Sequence, residues 1–175
     1  MKFSYTPCCL DIPQRLSRTA YDGVSCRAAL RGEKMPSNLG NEVTRLCLVR
    51  GIRHNAALAR SPDVAELAAL PGQELFGRAR NARLIMSDEI PPETTMRPET
   101  YPYSIWHPAV AKEDRYRVLA LRYPAMRYQV GRVCAVAGYY QLYQELDLLP
   151  GVSIAEEARE NSGNRISLRS LCPLP

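Results

Sequence analysis

The feature that most constrains the fold of this 175-residue chain is a proline-rich stretch over residues 87–106. It contains Pro91, Pro92, Pro98 and Pro102. Because proline lacks a backbone N–H and its ring clashes with the preceding helical turn, no continuous helix can run through this stretch, and extended backbone is favoured. The segments on both sides have the apolar spacing of amphipathic helices, so the stretch is predicted to connect two helical parts of the chain.

Before the proline-rich stretch, helix start and stop signals are frequent. Asn41 is expected to cap one helix, which Gly51 is expected to close. Ser61 can cap the next helix, and Pro62 suits its first position because the missing N–H would be unpaired there anyway. Gly32 is expected to end a short earlier helix. The predicted helices cover residues 25–30, 42–50, 62–70 and 73–86.

After the stretch, a helical hairpin is the best-defined unit. The first helix is predicted over Val130–Ala137, where Gly131 permits close approach of another backbone and Cys134 fills the core. Gly138 can adopt the left-handed conformation that ends a helix, and the second helix carries apolar residues as far as Leu149. Such a hairpin cannot bury its own apolar faces, so it must pack on neighbouring elements.

Two further helix starts are predicted in this half of the chain. Pro108 is expected near the start of a helix that ends before Pro124, with His107 as its cap. Ser153 and Glu156 have the spacing of a capping box, in which each side chain satisfies the other residue's backbone N–H.

The proline-rich stretch itself has two readings. Its repeated Pro-Glu-Thr triplets, at residues 92–94 and 98–100, would suit a docking or phosphorylation segment. Alternatively it is a long connection held to the core by apolar anchors, which we expect to be Ile90, Tyr101, Tyr103 and Trp106.

The hairpin sequence "CAVAGYYQLYQEL" resembles the middle of an ankyrin repeat, in which an alanine-rich helix ends in glycine and a leucine-rich helix follows. The Thr-Pro-Leu-His opening of that repeat is replaced here by "QVGR". The stretches "PPETTMRPETYPYSIWHP", "MRYQVGRVCAVAGYYQLYQELDLLP" and "IAEEARE" lie within residues 87–160. Through them this region is similar to uncharacterised proteins of filamentous fungi, some of them labelled ankyrin-like. The resemblance implies an all-α fold of stacked helical hairpins, of a degenerate ankyrin-like kind with a long proline-rich connection, and implies no known activity or cofactor.

We therefore expect three regions along the chain. Residues 1–40 form a weakly organised N-terminal segment, and residues 41–160 form a helical domain that includes a proline-rich connection over 87–108. Residues 161–175 form a frayed tail.

Charge and cysteine content bear on the class of function. Residues 1–85 contain 13 Lys and Arg side chains against seven Asp and Glu, whereas the remainder is nearly balanced. The basic residues are scattered and follow no nucleic-acid-binding motif, so nucleic acid is an unfavoured partner. The N-terminus lacks the apolar core of a signal peptide, and no apolar run suits a membrane span, so an intracellular protein with reduced cysteines is expected.

No catalytic or metal-binding motif stands out. Cys134 has no histidine near it in sequence, the glycine spacing fits no phosphate-binding loop, and no paired Cys and His spacing suggests zinc. The sequence therefore favours a non-enzymatic interaction module with a protein partner and no cofactor or metal. A small enzyme assembled from distant residues and a basic nucleic-acid adaptor remain the alternatives. The candidate contact residues are Arg50, Arg53, His54, Tyr101, Tyr103, Tyr139 and Tyr140.

Overall fold

The computed structural model describes residues 20–149 and 151–161, and within these ranges the fold is all-α. The described part of the chain contains nine α-helices, two short 3-10 helices and no strand. Residues 1–19 of the predicted N-terminal segment, and the predicted tail after Asn161, lie outside the described residues. The α-helices are α1 (Gly23–Arg31), α2 (Glu42–His54), α3 (Ala56–Arg60), α4 (Pro62–Ala69), α5 (Glu74–Met86), α6 (Glu113–Arg122), α7 (Arg127–Ala137), α8 (Tyr140–Leu146) and α9 (Val152–Glu160).

Several helix ends are the predicted ones. The Asn41 side chain accepts the Val43 N–H at the start of α2, and the Ser61 side chain accepts the Val64 N–H at the start of α4, where Pro62 is the first residue. Gly32 and Gly138 end α1 and α7 in the left-handed conformation, at φ of 71° and 78°. These ends are set by residues within three positions of one another, so local chemistry is enough to determine them.

The prediction that Gly51 closes α2 is wrong, because α2 continues through it to His54. Gly51 is buried against α1, and a Cβ atom at this position would lie 1.8 Å from the Ala29 carbonyl oxygen. The glycine therefore allows two helices to approach closely instead of ending one of them. The extra helical turn carries Arg53 and His54.

The helix predicted to start near Pro108 begins at Glu113 instead, so His107 does not cap it. The backbone that precedes Glu113 forms hydrogen bonds with side chains instead of forming a helical turn. The Tyr116 hydroxyl donates to the Ile105 carbonyl (2.7 Å) and accepts the Ala111 N–H (3.0 Å), and the Lys112 N–H donates to the Asp88 carboxylate (2.8 Å). These tertiary contacts hold residues 105–112 in an irregular conformation.

The last two helices also depart from their predicted details. Helix α8 stops at Leu146, followed by Asp147 at φ 46°, so Leu149 is 89% exposed instead of buried. Helix α9 starts at Val152 with Gly151 as its N-cap, which places Ser153 too far inside the helix to form the predicted capping box. The atoms that approach Gly131 belong to side chains, those of Leu148 and Ile154, and not to a backbone.

The described helices enclose two apolar clusters that meet at α5. Helices α1 to α5 bury one cluster, which includes Leu48, Ile52 and Phe76. The C-terminal end of α5, the proline-rich connection and helices α6 to α9 bury the other, which includes Tyr116 and Cys134. Burial raises the pKa of the Cys134 thiol to about 12, so it is a protonated core residue as predicted.

The connection is held to the second cluster by most of its predicted anchors. Ile90, Tyr101 and Trp106 are partly buried against that cluster, and the Tyr123 hydroxyl donates to the Pro91 carbonyl. Tyr103 is the exception, because its side chain is 69% exposed.

Replacing Tyr116 with phenylalanine is expected to lower the free energy of unfolding by about 1–3 kcal/mol, because the Ile105 carbonyl and the Ala111 N–H lose their buried partner. Urea denaturation would measure the change. Tyr139→Phe is the matched control, since its half-buried hydroxyl makes one bond, to the Ala111 carbonyl. Equal losses in the two variants would contradict the assigned role of Tyr116.

Candidate functional site: a basic cluster at two helix ends

Two helices end next to each other in a group of basic side chains. Arg53 and His54 lie in the last turn of α2, and Arg83 lies in the last turn of α5. Arg50 lies one turn before the end of α2, and His107 belongs to the connection. We call Arg50, Arg53, His54, Arg83 and His107 the basic cluster. The negative end of a helix dipole stabilises cations in a last turn, which explains part of this arrangement.

Arg53 attaches the connection to α2. Its guanidinium donates to the His107 carbonyl at 2.7 Å and to the Ser104 carbonyl at 3.3 Å. Burial lowers the pKa of this side chain, and its donors are directed to backbone oxygens. Arg53 therefore positions the segment that carries His107.

The two histidines of the chain face each other across this contact. The rings of His54 and His107 have centroids 5.7 Å apart and an interplanar angle of 77°. Burial lowers the pKa of His54, and the positive charges of Arg50, His107, Arg53 and Arg83 lower it further. His54 is thus surrounded by cations.

The described part of the chain supplies no acidic partner for the arginines of the cluster. Among residues 20–149 and 151–161, no member of the basic cluster forms an ion pair. The Nε atom of Arg83 is buried and has no hydrogen-bond partner among the same residues. Like charges gathered without a counter-ion destabilise a folded protein, so this arrangement is suited to an external anion.

A second group of side chains adjoins the cluster, and we call Tyr103, Trp106, Arg132 and Glu157 the Arg132 clasp. The guanidinium of Arg132 lies over the Trp106 ring at 4.5 Å and over the Tyr103 ring at 4.9 Å. It also donates to the Glu157 carboxylate at 2.6 Å. Burial opposes ionisation, but Glu157 and Tyr103 outweigh it and raise the pKa of Arg132. The clasp therefore joins α7, α9 and the connection directly beside His107.

The structure places the predicted contact residues in different environments. Arg50, Arg53 and His54 belong to the basic cluster, and exposed Tyr103 lies over Arg132. Tyr101 packs edge-to-face on Tyr123. The remaining two lie away from these contacts: Tyr139 donates to the Ala111 carbonyl, and the Tyr140 hydroxyl accepts a bond from Gln144.

Sequence reasoning missed Arg83, Arg132 and the role of His107. Arg83 is 29 positions from His54, and Arg132 is 26 positions from Trp106, so no local pattern connects them. One feature of the sequence could have pointed to this site. The chain has only two histidines, and each directly follows a residue of the site, Arg53 or Trp106.

The described part of the chain gives little indication of a metal site, of a ligand-binding groove or of a membrane-spanning helix. It contains no group of three or more His, Cys, Asp or Glu side chains placed to hold a metal ion. A groove of about 270 Å³ lies between α6 and α8, but its Arg117 is already bound to Glu113, Asp114 and Glu145. No helix among the described residues is both long enough and apolar enough to cross a membrane.

Comparison with known proteins relates the C-terminal part of the chain to a family model. Searches of curated proteins and of solved structures found no significant similarity. The family model of the YKP1 C-terminal domain matches residues 106–168, roughly a third of the chain, and the expected match to an ankyrin family is not found. The matched range begins at Trp106 and includes His107, Arg132 and Glu157. Over this range the chain is similar to the YKP1 C-terminal domain.

Proposed function

We propose that this chain is a non-enzymatic, intracellular protein-interaction module that binds an anionic segment of a protein partner through its basic cluster. The observation that carries the proposal is that, among the described residues, five neighbouring basic side chains, three of them arginines, form no ion pair. An acidic partner would supply the missing charge and would be selected by electrostatic complementarity.

The surroundings of the cluster support binding instead of catalysis. The titratable groups that act on His54 are arginines and His107, so among the described residues no carboxylate orients it as a general base. Exposed Tyr103 and partly buried Trp106 lie beside the cluster, and aromatic and arginine side chains are enriched where proteins bind one another.

The proposal also gives the helical hairpin a role. Helices α7 and α8, joined at Gly138, would act as the supporting hairpin of a degenerate ankyrin-like stack. Arg132 of α7 would hold the aromatic side chains of the connection in place. The contact surface would then consist of loops and helix ends carried by packed helices.

Charge reversal at Arg50 tests the proposed function. We expect Arg50→Glu to weaken binding of the partner about tenfold or more, whereas Arg115→Glu, which makes the same charge change at an exposed site on α6, has little effect. Affinity capture with the full chain would identify the partner, and titration with the purified partner would give Kd for each variant.

Equal loss of affinity in the two variants, or in neither, would overturn the assignment of the contact surface. Captured material that disappears after nuclease treatment, with steeply salt-dependent binding to any duplex, would instead identify a nucleic-acid adaptor.

A further inference from the structure

We infer that the basic cluster is a binding site for one phosphate-type oxyanion, held by Arg50, His54, Arg83 and His107. This inference rests on the proposed function and specifies the chemical group that the partner presents. It follows from the donors that remain available, from the size of the cluster and from the response of its histidines to charge.

The basic side chains of the cluster differ in whether their N–H groups can bind an external anion. Arg53 is directed to the carbonyl oxygens of Ser104 and His107, so it serves to position the site. Arg50 and the two histidine rings are exposed, and the described residues supply them with no carboxylate partner. Guanidinium groups match the geometry of phosphate oxygens, and protonated imidazoles donate to the same oxygens.

The size and charge of the cluster favour a single dianionic group. The two imidazole centroids are 5.7 Å apart, a separation that one tetrahedral oxyanion can bridge. A nucleic-acid backbone presents repeated phosphates, for which an extended basic stripe would be needed. A lone carboxylate would neutralise one of the cations, whereas a dianion neutralises two.

The histidines provide a direct readout of binding. The cationic neighbours of His54 disfavour its protonation, and a bound dianion would reverse that effect. By linkage, an oxyanion that prefers protonated His54 must raise the pKa of His54 when it binds. Since the chain has two histidines and both are in the cluster, its imidazole NMR spectrum reports on this site alone.

The test is a titration of the full chain with inorganic phosphate and, separately, with sulfate, whose charge is constant between pH 5 and 8. We expect saturable shifts of both imidazole signals and a rise of about 1 in the pKa of His54 at saturating sulfate. Arg50→Gln should weaken oxyanion binding about tenfold, and Arg115→Gln should leave it unchanged. Chloride at matched ionic strength is the control for screening.

One further titration identifies the source of the oxyanion. A phosphoserine peptide with uncharged flanking residues that binds at least tenfold tighter than inorganic phosphate would assign the site to a phosphorylated protein. Equal affinities would assign it to a small phosphate-bearing molecule.

The inference is overturned if chloride produces the same shifts as sulfate, or if the pKa of His54 does not rise. If Arg50→Glu still weakens binding of the partner about tenfold or more in that case, the proposed function holds and the partner presents carboxylates instead. If duplex DNA binds at least as tightly as the phosphoserine peptide, the single-oxyanion site is wrong.

Discussion

Replacing Gly51 with alanine is expected to lower the free energy of unfolding by about 3 kcal/mol, although alanine is intrinsically favoured over glycine inside a helix by about 1 kcal/mol. The added Cβ would lie 1.8 Å from the Ala29 carbonyl oxygen and 3.0 Å from its carbonyl carbon. These are backbone atoms of α1, so relief requires that the two helices separate. Thermal unfolding should show a decrease in Tm of about 10 °C.

Gly131→Ala is the matched control, because Gly131 is also buried inside a helix. The nearest atom to its added Cβ is the Leu148 Cδ1 atom at 2.6 Å, the tip of a flexible side chain that can move away. A change in stability within about 1 kcal/mol is expected, because the gain in helix propensity offsets the adjustment. Equal destabilisation in both variants would contradict the close approach of α1 and α2.

Cys26 distinguishes local from global effects of the Gly51 substitution. Its side chain is 4% exposed between α1 and α2, where its sulfur lies 3.5 Å from the Thr44 hydroxyl. If the substitution forces α1 away from α2, a thiol reagent should modify Cys26 faster while Cys134 stays protected. Peptide mapping by mass spectrometry would separate these two sites from the other cysteines.

The helices could be predicted where local signals decide the structure. Caps at Asn41 and Ser61 and the left-handed glycine at Gly138 depend on residues a few positions away, and each lies where the sequence placed it. Gly51 was misassigned because the same residue type serves both as a helix end and as a point of close contact. Only the position of Ala29 on another helix distinguishes the two uses.

The candidate site was partly predictable for the same reason. Arg50, Arg53 and His54 are neighbours on one helix, so they could be grouped from the sequence. Their association with Arg83 and His107 depends on how α5 and the connection meet the end of α2. The connection meets α2 through hydrogen bonds from Arg53 to backbone carbonyls, and backbone acceptors are present at every residue, so the sequence does not reveal which are used.

Glu157→Leu is expected to lower the free energy of unfolding by about 3–5 kcal/mol, because it leaves the charge of Arg132 buried without its carboxylate. The two side chains are only 10% and 15% exposed. The Nε and Nη1 atoms of Arg132 have no hydrogen-bond partner among the described residues, and its other neighbours, the Tyr103 and Trp106 rings, do not carry the negative charge that Glu157 supplies. Urea denaturation would measure the loss.

The double variant Arg132→Met with Glu157→Leu should regain most of that stability, since replacing both members of a buried ion pair by apolar side chains of similar size is often neutral. A double variant as unstable as Glu157→Leu alone would contradict the account, because the cost would then come from packing of α9 and not from an unpaired charge. Comparison of the single and double variants isolates the coupling energy.

Trp106 links this prediction to the basic cluster. It is the only tryptophan in the chain, it lies 4.5 Å from the Arg132 guanidinium, and it directly precedes His107. If Glu157→Leu loosens the clasp, Trp106 fluorescence should shift to longer wavelength at urea concentrations below the main unfolding transition. His107 should then lose its fixed position relative to His54, and sulfate affinity should fall several-fold although no donor of the oxyanion site has been changed. Unchanged sulfate affinity in the loosened variant would show that Arg53 alone positions His107.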